Sequence, residues 1–79
     1  MITKYIEKAL QKARYEALKN GSFCATVPGL RGVIATGRGL EECRQELAEV
    51  VEEWILVRVA RGLSVPKLGG VAVRVERAG

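Results

Sequence analysis

The second half of the chain carries its longest run of helical periodicity. Apolar residues recur there at alternating spacings of three and four, which is the period of one helix face. They are Leu40, Cys43, Leu47, Val50, Trp54 and Val57. Glutamates open this segment and arginines close it, as the helix dipole favours, and Gly62 and Pro66 follow it. The pattern predicts one long helix over residues 40–61, with this apolar stripe facing the core.

A second apolar stripe runs along the same helix. It consists of Ala48, Val51, Ile55 and Val59, and Leu56 lies outside both stripes. One face of a sheet cannot cover both stripes, so either an N-terminal helix or another copy of the chain must cover the second. Because a domain this small gains stability from association, we expect a homodimer or higher oligomer. The interface candidates are Val51, Ile55, Leu56 and Val59.

The residues before the long helix predict one short helix and three strands. A helical stripe of apolar residues covers 2–12, and alternation over 13–18 and 22–27 predicts two strands. Asn20-Gly21 between them favours a type I′ hairpin turn. A short third strand over 33–36 then leads through the Gly-Arg-Gly sequence at 37–39 into the long helix. We interpret that Gly-rich segment as a plain connection rather than an anion-binding loop, because it lacks both phosphate-binding spacings.

Alternation over 71–76 predicts a last strand after the long helix. The order is therefore an N-terminal helix followed by β-β-β-α-β. We expect an α+β fold in which an antiparallel meander packs against one long helix, as a single domain over residues 1–79. The direction of the last strand is left open by the sequence.

Charge and composition bear on function more than on fold. The net charge of +4 permits contact with nucleic acid without requiring it. Lys4, Lys8 and Lys12 fall four apart on one face of the first helix, which makes them candidates for phosphate contact or, more simply, a solvated face. Glu42, Glu46, Glu49 and Glu53 form an acidic ridge on the long helix. The ridge is a candidate partner-binding surface, or again a solvated face.

The sequence offers few candidate catalytic residues. The sequence contains no His, so a Ser–His or Cys–His arrangement is impossible. It also contains no Asp, which leaves only glutamates to form the carboxylate cluster that metal catalysis needs. Cys24 and Cys43 have no further Cys or His beside them and are interpreted as small buried hydrophobic residues. We expect no enzyme activity, no metal and no cofactor. The N-terminus has no apolar block and no membrane-length apolar run occurs, so we expect a cytoplasmic protein.

Several short segments together resemble the HicB family of antitoxins, the partners of HicA-type RNA-cleaving toxins. The matching segments cover about two-thirds of the chain, in the family's order. They are P-G-L-R-G-V at 28–33, T-G-R-G at 36–39, L-E-E-C at 40–43, the helix aromatic Trp54, and G-L-S-V-P at 62–66. The N-terminal helix is additional to the family pattern.

The resemblance implies a partial ribonuclease-H-like fold that is used for binding rather than catalysis. It implies a partner as well, a small basic toxin whose active site the protein blocks. Many members of that family carry a C-terminal DNA-binding domain, which we do not expect here. The alternative is a solitary HicB-fold protein that acts as an RNA-binding or structural module.

Overall fold

The computed structural model describes residues 2–73 of the chain. The elements follow the order α1 (Ile2–Lys12), β1 (Arg14–Ala17), β2 (Phe23–Thr26), β3 (Ile34–Gly37) and α2 (Leu40–Ala60). The strands form an antiparallel sheet in the order β1-β2-β3. Helix α2 packs on β2 and β3, and α1 packs against α2. The predicted α+β class is confirmed for a three-stranded antiparallel meander packed against one long helix.

Small side chains lie where α2 meets the sheet. Ala25 of β2 is opposite Tyr15 of β1 on one side and Ala35 of β3 on the other, and both alanines are buried. At the end of β3, a Cβ added to Gly37 would lie only 2.7 Å from the Cα of Cys43 and 2.9 Å from the carbonyl carbon of Glu42. The first turn of α2 therefore rests directly on the sheet backbone, which only glycine permits at this position.

The hairpin between β1 and β2 differs from the predicted type I′ turn. Such a turn needs positive φ at both central residues, whereas Asn20 has negative φ and only Gly21, at +86°, is positive. Leu18 accepts a hydrogen bond from the Gly21 N–H and donates one to the Ser22 carbonyl, which makes a three-residue loop. The Asn20 side-chain oxygen accepts from the Ser22 N–H (3.1 Å), so Asn20 acts through its side chain rather than its backbone.

The buried face of α2 lies between the two predicted stripes. Its fully buried residues are spaced by four, namely Cys43, Leu47, Val51 and Ile55. Of the predicted core stripe, Leu40 and Val57 are about half exposed, whereas Val50 and Trp54 are half-buried. The core combines residues of both stripes, because α1 and the sheet contact α2 from different directions.

This arrangement corrects part of the predicted oligomer interface. Val51 and Ile55 have no exposed surface within one chain, since they share the core with Tyr5 and Ala9 of α1. Side chains already buried in this way are not available to a second copy. These two residues are thus covered within one chain, by a core to which α1 and the sheet both contribute. Leu56 is 50% exposed and Val59 is half-buried against the core.

Helix α2 ends one residue before the predicted boundary, and its end is stabilised by backbone hydrogen bonds. The Leu63 N–H donates to the Arg58 carbonyl (2.8 Å) and the Gly62 N–H to the Val59 carbonyl (3.1 Å), the pattern of a Schellman motif. The chain then turns back along α1, where Pro66 lies beside Tyr5 and Gly69 beside Lys8 and Lys12. Val71 forms an isolated bridge with Leu68 and residues 71–73 lie outside any strand. Residues 74–76 of the predicted last strand lie outside the described residues.

Candidate functional site

The acidic ridge of α2 is exposed to solvent along its length. Glu42, Glu46, Glu49 and Glu53 are all exposed, as the helical spacing predicted. Glu52 joins the ridge, and with Glu49 and Glu53 it lines a shallow depression on the helix surface. The ridge therefore presents a row of carboxylates on a rigid helix that is held to the sheet by its other face.

A basic groove lies where the end of α1, the start of β1 and the segment after α2 come together. Among the described residues, its charged lining consists of Lys12, Arg14 and Lys67, and its volume is about 370 Å³. The remaining lining residues are Pro28, Gly29, Pro66, Leu68 and Gly69. All three charged groups are cations, so the groove is built to attract an anion.

A second groove adjoins the first and shares Gly29 and Pro66 with it. Its other lining residues are Arg31, Trp54 and Arg58. The Trp54 indole N–H donates to the Arg31 carbonyl at 3.0 Å, which fixes the ring. The Arg58 guanidinium lies 4.9 Å from the centre of that ring, within the range of a cation–π contact, and its Nε donates to the Ser64 carbonyl at 2.6 Å. An ordered aromatic–guanidinium pair therefore continues the basic surface.

Tyr5 of α1 forms a hydrogen bond with Pro66, a residue that lines both grooves. Its side chain is fully buried and its hydroxyl donates to the Pro66 carbonyl at 2.5 Å. Burial raises the pKa of the Tyr5 phenol above its ordinary value, and the nearby Arg58 charge opposes that rise. The contact holds the segment after α2 against α1, so the two grooves keep their relative position.

The three lysines predicted to contact phosphate have different positions in the structure. Lys12 lines the basic groove. Lys8 lies beside it, because a Cβ built on Gly69 would approach the Lys8 Cδ to 2.9 Å and the Lys12 Cε to 3.2 Å. Lys4 is exposed and does not line either groove. The structure thus brings together only the end of the predicted lysine row.

Four basic residues of the two grooves were not singled out by the sequence. They are Arg14, Arg31, Arg58 and Lys67. Arg14 and Lys67 are separated by more than fifty residues, and no periodic pattern relates them. Only the return of the chain after α2 places them in one groove.

The two cysteines occupy different environments. Cys43 is fully buried under the sheet, where its thiol contacts the Ala35 carbonyl at 3.8 Å, and Cys24 is half-buried. Burial raises the pKa of the Cys43 thiol, with a smaller contribution from Cys24 in the same direction. Within residues 2–73, no group of three or more His, Cys, Asp or Glu side chains is placed to hold a metal ion.

Neither helix of the described chain combines the length and the apolar character needed to cross a bilayer. Comparison with known proteins gives a family model and a solved structure. The UPF0150-like family model matches residues 4–66. The crystal structure of TTHA0281 from Thermus thermophilus superposes with a TM-score of 0.86 at 36% sequence identity, covering 96% of this chain and 95% of that one. No curated protein matches the chain. The family model spans most of the sequence, and the chain belongs to the UPF0150-like family.

Proposed function

We propose that the chain is a non-enzymatic, antitoxin-type binding protein that binds and neutralises a small, basic, HicA-type RNA-cleaving toxin. Membership of the UPF0150-like family supports this, since that family is associated with HicB-like antitoxins. The observation that carries the proposal is the row of exposed carboxylates at Glu42, Glu46, Glu49 and Glu53. Such a row complements a basic partner, steers its approach and disfavours acidic competitors.

The scaffold suits this role because the ridge is rigid. Helix α2 is fixed to the sheet and to α1 through its buried residues, so the glutamates on its outer face keep their spacing without a partner. Preorganised charges bind with a smaller entropic cost than charges on a mobile loop. The proposal includes self-association through Leu56, the most exposed of the predicted interface residues. It places the protein in the cytoplasm, where RNA-cleaving toxins act.

The first test is a pull-down of the tagged chain from its own cells, followed by mass spectrometry. We expect a small basic protein in stoichiometric amount, whose RNA cleavage stops when the purified chain is added. A partner that still cleaves RNA in the presence of excess chain, or the absence of any small basic partner, would contradict the proposal.

Charge reversal then tests the ridge itself. In the double variant Glu46→Lys/Glu53→Lys, the association rate with that partner should fall by about tenfold or more at low salt, because steering becomes repulsion. The matched control is Glu7→Lys/Glu16→Lys, which changes net charge equally at exposed sites outside the ridge. Equal losses in both variants would show that net charge, not the ridge, governs binding.

An RNA-binding or structural module remains the alternative function. The basic grooves favour the RNA-binding form of it, because their cations come from separate segments and no acidic side chain lines the grooves within residues 2–73.

A further inference from the structure

We infer that the two adjoining grooves form a binding site for single-stranded nucleic acid, with the phosphodiester backbone held by Lys12, Arg14 and Lys67 and a base stacked at the Trp54–Arg58 pair. The inference does not depend on the proposed toxin binding, which uses the acidic ridge of α2.

The first step of the argument is the charge in the larger groove. Its three cations come from α1, from β1 and from the segment after α2, so they approach a bound anion from different sides. Lys8 adds a fourth positive charge beside Gly69. Several lysines and arginines around one groove are the arrangement that follows a chain of phosphates, because each can neutralise one of them.

The second step is the continuity of the two grooves. Gly29 and Pro66 line both, so a ligand that leaves the first groove meets the second directly. Arg31 and Arg58 extend the positive charge there. A single phosphate would need only one groove, whereas a ligand with repeated phosphates can occupy both. The connected pair therefore favours a polyanion over a small anion.

The third step distinguishes nucleic acid from an acidic protein segment. The Trp54 ring is held by its hydrogen bond to Arg31, and the Arg58 guanidinium is held over it by the Ser64 carbonyl. Planar aromatic and guanidinium groups are the surfaces on which unpaired bases stack, and an acidic peptide offers no base for them. Charge alone would suit either ligand, but this planar pair beside the cations suits a single strand.

The test measures binding of labelled oligouridylate and oligothymidylate of about 12 nucleotides, a length within the usual site size, by fluorescence anisotropy. Both share the phosphodiester chemistry, and binding of either supports the inference. The groove variant is Arg14→Glu/Lys67→Glu, in which both replaced residues are exposed. The matched control, Lys19→Glu/Arg44→Glu, makes the same change in net charge at exposed residues outside both grooves.

We expect the groove variant to lose at least about tenfold in affinity at about 50 mM salt, while the control stays within about threefold of the wild type. The slope of log K against log salt should become shallower by about 1.4, because two phosphate contacts at about 0.7 each are removed. Equal losses in the two variants, or no binding by the wild-type chain, would overturn the inference.

Trp54 supplies an independent readout, because it is the only tryptophan of the chain. Stacking of a base near its ring should quench its emission when oligouridylate is added to the wild-type chain. Polyglutamate of the same charge should bind more weakly and leave the emission unchanged. If polyglutamate binds as tightly as the oligonucleotide, the grooves accept acidic protein segments and the assignment to nucleic acid is wrong.

Discussion

Tyr5 shows how one side chain links the core to the grooves. Its ring is fully buried beside α2, and its hydroxyl holds the Pro66 carbonyl of the segment that lines both grooves. A buried phenol stays neutral more readily than an exposed one, because burial penalises the charged form. The pKa of Tyr5 is therefore raised above its ordinary value of 10.0, despite the opposing Arg58 charge.

The raised pKa of Tyr5 predicts a loss of stability at alkaline pH. Above pH 10 the unfolded chain releases the Tyr5 proton while the folded chain keeps it, so the free energy of unfolding falls as pH rises from about 10 through the raised folded pKa. Below pH 10 this contribution is constant. The free energy of unfolding, measured with urea between pH 8 and 11 in steps of about one pH unit, should decline less for Tyr5→Phe than for the wild type.

Two comparisons check this alkaline prediction. Tyr5→Phe should also lose about 1 kcal/mol at neutral pH, because its hydrogen bond to Pro66 is absent. Tyr15→Phe keeps the Tyr5 phenol and should keep the alkaline decline. An identical decline in Tyr5→Phe and the wild type would show that Tyr5 does not cause it.

At the scale of elements, helix α2 organises the described part of the molecule. Its buried residues contact the sheet on one side and α1 on the other, while the ridge glutamates face solvent. The spacing of four in the buried row differs from the alternating threes and fours that the sequence suggested. The difference arises because two elements cover the helix, and the surface they cover together lies between the two apolar stripes.

Two valines on α2 test this placement with the same chemical change. Val51 is 0% exposed and Val57 is 49% exposed. Val51→Ala should lower the free energy of unfolding by about 2 kcal/mol or more, since it removes two buried methyl groups and leaves a cavity. Val57→Ala should change it by less than about 0.5 kcal/mol. Equal losses from chemical denaturation would place the core face of α2 elsewhere.

At the scale of the described molecule, the basic grooves and the acidic ridge are made by different residues. The groove residues come from α1, β1, the turn after β2, the end of α2 and the segment that follows it, whereas the ridge carboxylates all lie on α2. Large apolar side chains are also exposed on α2, including Leu40, Leu56 and Val57. Exposed apolar residues of this size, when they cluster, are typical of association surfaces.

Self-association through Leu56 is tested by sedimentation velocity. We expect the wild-type chain to sediment as a dimer or larger at micromolar concentration, and Leu56→Glu to shift it toward monomer by placing a charge in the contact. Leu40→Glu is the matched control, because Leu40 is equally exposed at the other end of α2. A wild-type monomer would rule out this interface.

Much of the fold could be predicted because it depends on local patterns. The stripe of α1, the alternation that brings Ala25 to the covered face, and the end of α2 near Gly62 are all visible within short windows of sequence. The hairpin was placed correctly but its turn type was not, because the Asn20 side chain bonds to Ser22 and the backbone need not adopt positive φ. A side chain that competes in this way with the backbone leaves no periodic pattern in the sequence, so the turn type could not be predicted from it.

Hydrophobic period and turn residues thus determined the two helices and three strands of the described residues, their order and the exposure of the acidic ridge, because each depends on residues close in sequence. The strand predicted to begin at residue 71 was not found over residues 71–73. Only the tertiary structure decided that Val51 and Ile55 are buried within one chain, in a core that includes Tyr5 and Ala9 of its first helix. It also decided that Lys12, Arg14 and Lys67 share a groove beside Trp54 and Arg58. Both results depend on how separate elements dock, and docking follows from the shapes of complete surfaces rather than from any one segment.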